Sequence, residues 1–411
     1  MLKRNEFRHD RGGIRADVAG YFKRLLKPAE FRSIVKRQFA QKRFDDILRT
    51  IERDQQPFLE DSTLAKMALW SFGASNDMEG FELFGKALVQ TNPDSARIIN
   101  YVLAHQMRIF NSGRFWQALR EVLIVQYSLE DGLDWKAIYS AIRAIAERHV
   151  AAMDDERIAA AFAGSKVLIS DARAVAIRHF MAIEFFYFYD NLRVHMSFGR
   201  RFAKEPIATL EDGFFRDQIV NLGDFSSRVA EVSEAGPNLF ILLHCSFNML
   251  VASVARSALK NTRFIGRSMY PPTEDDGFML YFQSDKASRL RVFAQAMKHM
   301  AKGGNLMISP DGIAGNDPGP VKIFGMEFEA LAGAPTLAFE MKAPTYMLQP
   351  ELSEEGIHLR IIKLRDAEAG VDRMGFIESW RRALSEALEE MFDNAETLPV
   401  YNLNIARAWA W

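Results

Sequence analysis

The clearest indication of the fold is the stretch Asn238-Leu-Phe-Ile-Leu-Leu-His-Cys-Ser-Phe-Asn-Met249. It follows the breaker Gly236–Pro237 directly and opens with a run of large apolar side chains. A short, continuous apolar run after such a breaker is typical of a parallel strand that is buried on both faces. We therefore predict a strand over Asn238–Leu243, a loop that begins at His244, and a helix over Met249–Leu259.

Beyond this stretch, short apolar runs alternate with helical patterns. Further strands are predicted at Thr262–Ile265, Asn305–Ile308, Thr345–Leu348 and His358–Ile362. Further helices are predicted at Arg289–Ala301, Ala330–Lys342 and Phe376–Phe392. Strands that alternate with helices indicate an α/β domain with a mixed, mostly parallel sheet flanked by helices. We place this domain at residues 236–411.

The chain before this domain has helical periodicity throughout. We predict an all-α domain of helical hairpins at residues 1–155 and a helical connector at residues 156–235. Phe81 and Phe115 each open an apolar-rich helix 34 residues apart, and Asn92–Pro93 lies between them, which weakly resembles a tetratricopeptide repeat. The aromatic run Phe185–Tyr189 in the connector allows two interpretations, an acyl-chain groove or a buried helix.

The N-terminal arm is strongly basic. Residues 1–43 contain 13 Lys/Arg and 4 Asp/Glu, a net charge of 13 − 4 = +9 in a chain whose total is −1. A basic amphipathic helix over Pro28–Ile51 could lie on an anionic membrane surface, or it could pack its aromatic face on its own domain. The arm carries no recognised nucleic-acid motif, and we expect no nucleic-acid partner.

Composition places the chain among ordinary globular proteins, with 48% apolar and 26% charged residues. The single cysteine, Cys245, cannot form an internal disulfide, and this favours a reducing compartment. Polar residues interrupt the longest apolar stretch, so we expect no segment that spans a membrane. We expect a cytoplasmic protein that is at most peripherally attached to a membrane. The sequence has no zinc-ligand spacing and no phosphate-binding loop, and we expect neither a metal nor a cofactor.

Two loops carry the polar residues that chemistry would need. One begins at His244, after the first predicted strand, and the other is Ser309-Pro-Asp-Gly312, after the strand Asn305–Ile308. Open α/β sheets bind their ligands at the carboxyl ends of their strands, which is where both loops fall. A nucleophilic role for Cys245, beside His244, is the less favoured alternative to a small buried side chain.

The order of these elements resembles the lipid A late acyltransferase branch of the lysophospholipid acyltransferase superfamily. The resemblance covers about residues 238–406 and rests on order rather than on any single motif. The matching segments are the strand that ends at His244, Phe264–Arg267, Gly303–Gly312, Val321–Gly325, Gly333–Ala334, Ala343–Pro344, Leu403–Arg407 and Trp409–Trp411.

The resemblance implies a catalytic histidine followed, five positions later, by an acid that holds its imidazole. His244 fits the histidine, but Met249 stands where the acid belongs. Asn248 or Asp311 could take its place, the latter by approaching from a neighbouring strand end. The resemblance also assigns the loop Ser309–Gly312 to the acceptor's head group, although Pro-Asp-Gly is equally typical of a simple turn. Arg267 at the end of its strand could pair with a phosphate, or it could form a structural ion pair.

We therefore expect an O-acyltransferase. It would move a fatty acyl group from an acyl carrier protein or coenzyme A thioester to a hydroxyl of a lipid or other amphiphilic acceptor, with His244 as general base. The alternative is a catalytically inactive relative of the fold that binds a lipid or an acyl thioester and carries a helical interaction module.

Overall fold

The computed structural model describes residues 28–106, 112–130, 133–161, 169–199, 212–245, 247–267, 279–282, 286–311, 318–323, 326–366, 372–393 and 398–399. The chain forms two compact units. The first comprises Met1–Gln126 with Ser197–Glu205, and the second comprises Tyr127–Met196 with Pro206–Trp411. We call them the helical unit and the sheet unit. This division falls at Gln126 rather than at 155, and it groups the described connector residues up to Met196 and from 212 with the sheet.

The described part of the helical unit consists of helices joined by short turns. They are α1 (Pro28–Ala40), α2 (Phe44–Arg53), α3 (Gln56–Glu60), α4 (Ser62–Ala74), α5 (Met78–Thr91), α6 (Ser95–Gln106) and α7 (Gly113–Tyr127). Asp61 caps α4 by accepting hydrogen bonds from the backbone N–H groups of Thr63 and Leu64. The rings of Phe81 and Phe115, the pair spaced by 34 residues, pack edge to face at 5.5 Å within this unit.

The single basic helix predicted over Pro28–Ile51 is wrong, because the chain breaks between α1 and α2. Lys42 adopts a positive φ of 57° at this break. The apolar face of α1 packs inside its own unit, where Phe31 contacts the ring of Phe58 and Phe39 contacts the ring of Trp70. Packing of α1 on its own domain is therefore the alternative that the structure supports for this segment. Residues 1–27 of the basic arm lie outside the described residues.

The sheet unit holds the remaining described helices and all described strands. The helices are α8 (Trp135–Ala151), α9 (Asp155–Ala161), α10 (Ile169–Gly199, whose last residues belong to the helical unit), α11 (Asp212–Asp217), α12 (Leu222–Glu234), α13 (Asn248–Ala258), α14 (Lys286–Met300), α15 (Gly333–Met341) and α16 (Arg373–Asp393). The strands are β1 (Leu239–Ile241), β2 (Thr262–Arg267), β3 (Met279–Phe282), β4 (Asn305–Ile308), β5 (Pro318–Ile323), β6 (Met326–Leu331), β7 (Thr345–Ser353), β8 (Gly356–Arg365) and β9 (Leu398–Pro399).

The main sheet has the strand order β3-β2-β4-β1-β7-β8, with β9 paired to β7. The first five strands of this order run parallel, while β8 and β9 run antiparallel to β7. The predicted α/β class with a mixed, mostly parallel sheet is confirmed. Strand β1 lies centrally between β4 and β7, and all three of its residues are fully buried, as its continuous apolar sequence requires.

Some elements differ from the sequence-based expectation. Strand β1 is shorter than the predicted Asn238–Leu243, although the N–H of Leu242 still bonds the carbonyl of Ile308 on β4. Strands β3 and β9 and the separate antiparallel pair β5–β6 had no predicted counterpart. The run Phe185–Tyr189 lies within α10, where Phe185 and Phe188 are fully buried, so the buried-helix interpretation holds for these residues. Within the described ranges, no helix is both long enough and apolar enough to cross a bilayer.

Candidate active site

The candidate site lies at the carboxyl edge of the sheet, where β1 and β4 end side by side. The two strands pair in register, with Ile241 opposite Ile308. The loop after β1 carries His244, and the turn after β4 carries Asp311. Because the strands are parallel neighbours, residues that are 67 positions apart in sequence come into direct contact.

Asp311 holds His244 with both oxygens of its carboxylate. Oδ2 accepts a hydrogen bond from the backbone N–H of His244 at 2.8 Å. Oδ1 lies 2.8 Å from the ring nitrogen Nδ1 of the same residue. A carboxylate can only accept, so Nδ1 is the donor in this contact. The neutral imidazole therefore carries its proton on Nδ1, which leaves the lone pair on Nε2 available as a base.

The two members of this pair differ sharply in exposure. The side chain of His244 is 52% exposed, whereas that of Asp311 is 0% exposed. A buried acid that orients an accessible imidazole is the arrangement that general-base catalysis needs, because the ring must reach a substrate while its orientation stays fixed. The hydrogen bond that His244 donates to Asp311, reinforced by the negative charge of that carboxylate, raises the pKa of His244 against the opposing effect of burial.

The chain around His244 turns tightly. The N–H of Cys245 donates to the carbonyl of Leu243 at 2.8 Å, which closes a three-residue turn centred on His244. The next turn leads through Phe247 into α13. Phe247 adopts the left-handed conformation, with φ 61° and ψ 9°. This conformation costs a non-glycine residue about 1–2 kcal/mol, so packing elsewhere must offset it.

Aromatic side chains surround the ring of Phe247. The contacts are with Tyr189 at 4.7 Å, Phe215 at 5.3 Å, Trp135 at 6.3 Å and Phe185 at 6.4 Å, measured between ring centroids. We call Phe247 and these four residues the aromatic cluster. Trp135 also donates from Nε1 to the carbonyl of Ser353 at the end of β7, so the cluster is tied to the sheet. Sequence reasoning assigned no role to Phe247, because a phenylalanine gives no signal for a positive φ.

Ser309, Arg267 and Asn248, the other predicted site residues that the structure describes, also lie at or near the carboxyl edge of the sheet. Ser309 is half-buried directly after β4, and Arg267 ends β2, the strand on the other side of β4. Asn248 is the first residue of α13, and its N–H bonds the carbonyl of Cys245. Asp311, rather than Asn248, is the partner of the imidazole Nδ1. Gly312 and the C-terminal segments at 403–411 lie outside the described residues.

Cys245 is buried, whereas the neighbouring side chain of His244 is exposed. The cysteine is 2% exposed, and burial together with the negative charge of Asp311 raises the pKa of its thiol. The thiolate is the nucleophilic form of cysteine, so this environment disfavours covalent chemistry at Cys245. Among the described residues, no group of three or more His, Cys, Asp or Glu side chains could hold a metal ion.

Comparison with known proteins adds no family to this description. A scan against protein-family models finds no match, and a search of curated proteins finds no significant relative.

Proposed function

We propose that the chain is an O-acyltransferase in which His244 is the general base and Asp311 its orienting acid. The single observation that carries the proposal is the double contact of the buried Asp311 carboxylate with the backbone N–H and Nδ1 of an exposed histidine. A hydroxyl is a poor nucleophile at neutral pH, and Nε2 of His244 would take its proton as it attacks the thioester carbonyl. Asp311 would stabilise the imidazolium that forms, and the imidazolium would return this proton to the sulfur of the donor as the C–S bond breaks and the thiol leaves.

The acid in this proposal comes from the next strand rather than from the position five residues after the histidine. Met249 lies in the first turn of α13, and Asp311 reaches the imidazole from the end of β4 instead. A carboxylate within hydrogen-bond distance of His244 favours the enzyme over an inactive binding protein, because a buried acid that orients an exposed imidazole is what general-base catalysis requires.

The resemblance to the lipid A late acyltransferases supplies the substrate class. The donor would be an acyl carrier protein or coenzyme A thioester, and the acceptor a lipid or amphiphile with a free hydroxyl. Ser309 and Gly312 would face the acceptor's head group, and Arg267 would favour an anionic group. The basic residues 1–43 would meet an anionic membrane or the acidic surface of a carrier protein, which would place the protein on the inner face of a membrane.

A thioester-cleavage assay tests the proposal. Purified wild type, His244→Ala and His358→Ala are incubated with medium-chain and long-chain acyl donors and a pool of lysolipid acceptors. His358 is a matched control, because it belongs to the same unit and its Nε2 pairs with Ser353 rather than with an acid. Acceptor-dependent cleavage by wild type and His358→Ala, but not by His244→Ala, is the expected result. Equal cleavage by all three proteins would overturn the role of His244.

A further inference from the structure

The aromatic cluster lies next to the candidate base and has no part in the acid–base chemistry described above. Phe247 is three residues after His244 in the sequence and precedes α13 directly. Its ring is fully buried, as are the rings of Phe185 and Phe215 to within 2%. The loop that carries His244 is thus anchored on one side by Asp311 and on the other by Phe247.

Phe247 is an unusual choice for its backbone conformation. Its φ of 61° lies in the region that glycine and asparagine adopt easily and that a bulky side chain avoids. Its side chain also makes no capping hydrogen bond to the helix that follows it. Neither backbone preference nor helix capping explains phenylalanine at this position, so the explanation must lie in the contacts of its ring.

Those contacts come from separate elements of the sheet unit. Trp135 begins α8, Phe185 and Tyr189 lie one turn apart on α10, and Phe215 lies on α11. Tyr189 and Phe215 also contact each other at 5.3 Å, so the walls of the cluster support one another. A ring that is held from several directions can fix the backbone that carries it, since protein interiors are densely packed and deform little.

We propose that Phe247 is a positioning residue for His244: the aromatic cluster holds its ring, and the ring locks the left-handed turn that presents the imidazole to Asp311. The inference rests on the proposed function for its catalytic consequence, whereas the geometry it describes is measurable without any substrate. In this arrangement the ring of Phe247 connects α8, α10 and α11 to the loop that carries the base. A small displacement of the His244 imidazole would lower the reaction rate strongly, because a misplacement of about 1 Å can reduce rates by about 10²-fold.

The experiment compares Phe247→Gly and Phe215→Leu with wild type and with Phe376→Leu. Phe247→Gly keeps the backbone conformation accessible but removes the ring, and Phe215→Leu removes one wall without altering the loop. Phe376 is a matched control, because it is equally buried in the sheet unit and packs on Phe339 rather than on the cluster. Two quantities are measured: the pKa of His244, from its imidazole NMR signals over a pH titration, and the rate of acyl transfer.

We expect the pKa of His244 to fall toward its ordinary value in Phe247→Gly and, by a smaller amount, in Phe215→Leu, because the contact with Asp311 loosens. Acyl transfer falls by about 10²-fold in Phe247→Gly, and Phe376→Leu changes neither quantity. If Phe247→Gly does not fold, Phe215→Leu decides alone. An unchanged His244 pKa in the folded cluster variants would overturn the inference. A pKa that shifts in a protein without acyl transfer would uphold the positioning role while refuting the proposed function.

Discussion

Replacing Asp311 with asparagine is the sharpest perturbation that the site allows. The substitution keeps the size and shape of the side chain but exchanges one acceptor oxygen for an NH2 donor. In the wild type both oxygens accept, one from the backbone N–H of His244 and one from Nδ1, each at 2.8 Å. Asparagine can satisfy only one of these contacts as an acceptor.

Only the contact at Nδ1 can exchange its donor and acceptor, because the imidazole has two tautomers. The backbone N–H of His244 can only donate, so the remaining oxygen of the introduced amide must face it. The NH2 group then faces Nδ1, which must become an acceptor, and the imidazole proton moves to Nε2. In this tautomer Nε2 has no lone pair to take a proton from the substrate. Asp311→Asn therefore removes the base without removing the histidine.

The expected loss in kcat is large. Removing the carboxylate of a comparable triad, with the same change of tautomer, lowers kcat by about 10⁴-fold. That factor corresponds to about 5.5 kcal/mol of lost transition-state stabilisation. The KM for the thioester should change little, because the substitution leaves the accessible surface intact. Steady-state kinetics measures both parameters, and ¹⁵N NMR of the imidazole reports the tautomer directly.

Glu351→Gln provides a matched control. Glu351 is a second buried carboxylate of the same sheet, and it pairs with Arg360 rather than with a histidine. This variant should lose stability but keep its turnover. If kcat falls less than tenfold in Asp311→Asn and the proton is still on Nδ1, the carboxylate does not set the tautomer of His244.

Four further predictions concern the pH dependence of acyl transfer, the pH dependence of stability, the reactivity of the thiol and the loss of a buried asparagine. Because Asp311 raises the pKa of His244, the rate of acyl transfer should rise with pH through a midpoint above the ordinary histidine pKa of about 6.5. The variant Asp311→Asn should show no such rise. A wild-type midpoint below about 6.5 would show that Asp311 does not raise the pKa of His244. The same shift should stabilise the fold below the ordinary pKa and lose its effect as pH rises through the raised pKa, which urea unfolding at pH 5 and pH 9 would show as a difference between wild type and Asp311→Asn. Cys245 should react with a thiol reagent such as 5,5′-dithiobis(2-nitrobenzoic acid) only after unfolding, since rapid labelling of the native protein would require a thiol far more accessible than this one. The side chain of Asn305 accepts from the N–H of Asn238 and donates to the carbonyls of Ser233 and Lys260, all at the amino ends of the strands. Asn305→Ala should therefore lower the free energy of unfolding by about 3 kcal/mol or more. The pKa of His244, which lies at the opposite edge of the sheet, should not change.

The sequence predicted the α/β class because its signals are local. The run after Gly236–Pro237 is apolar on both faces and became the central strand β1, and the run at Asn305–Ile308 became β4 with the same bounds. The antiparallel pair β5–β6 gave no such signal, because two prolines and a glycine at Pro318–Pro320 begin it. Such residues normally indicate a loop, and here the pairing with β6 overrides that preference.

The candidate site depends on strand order, which sequence patterns do not encode. Both loops were placed at strand ends, but contact between His244 and Asp311 requires that β4 insert beside β1, although β2 and β3 come between them in the chain. The histidine-to-acid spacing of the family that the sequence resembles pointed to Met249, and Asp311 was one of the residues that could replace the missing acid. The positive φ of Phe247 is set by the ring contacts of the aromatic cluster, and these come from residues more than 30 positions away.

In the proposed function, His244, held by Asp311, activates a hydroxyl for attack on an acyl thioester. The most direct test is mass-spectrometric detection of the new ester after incubation of a ¹³C-labelled acyl thioester with lysolipid acceptors, with wild type and with His244→Ala at equal concentration. We expect labelled ester with wild type and a loss of that product in His244→Ala, while the mutant still binds the thioester. Binding of the thioester by both proteins, with no labelled ester from wild type under any acceptor, would contradict the proposed function.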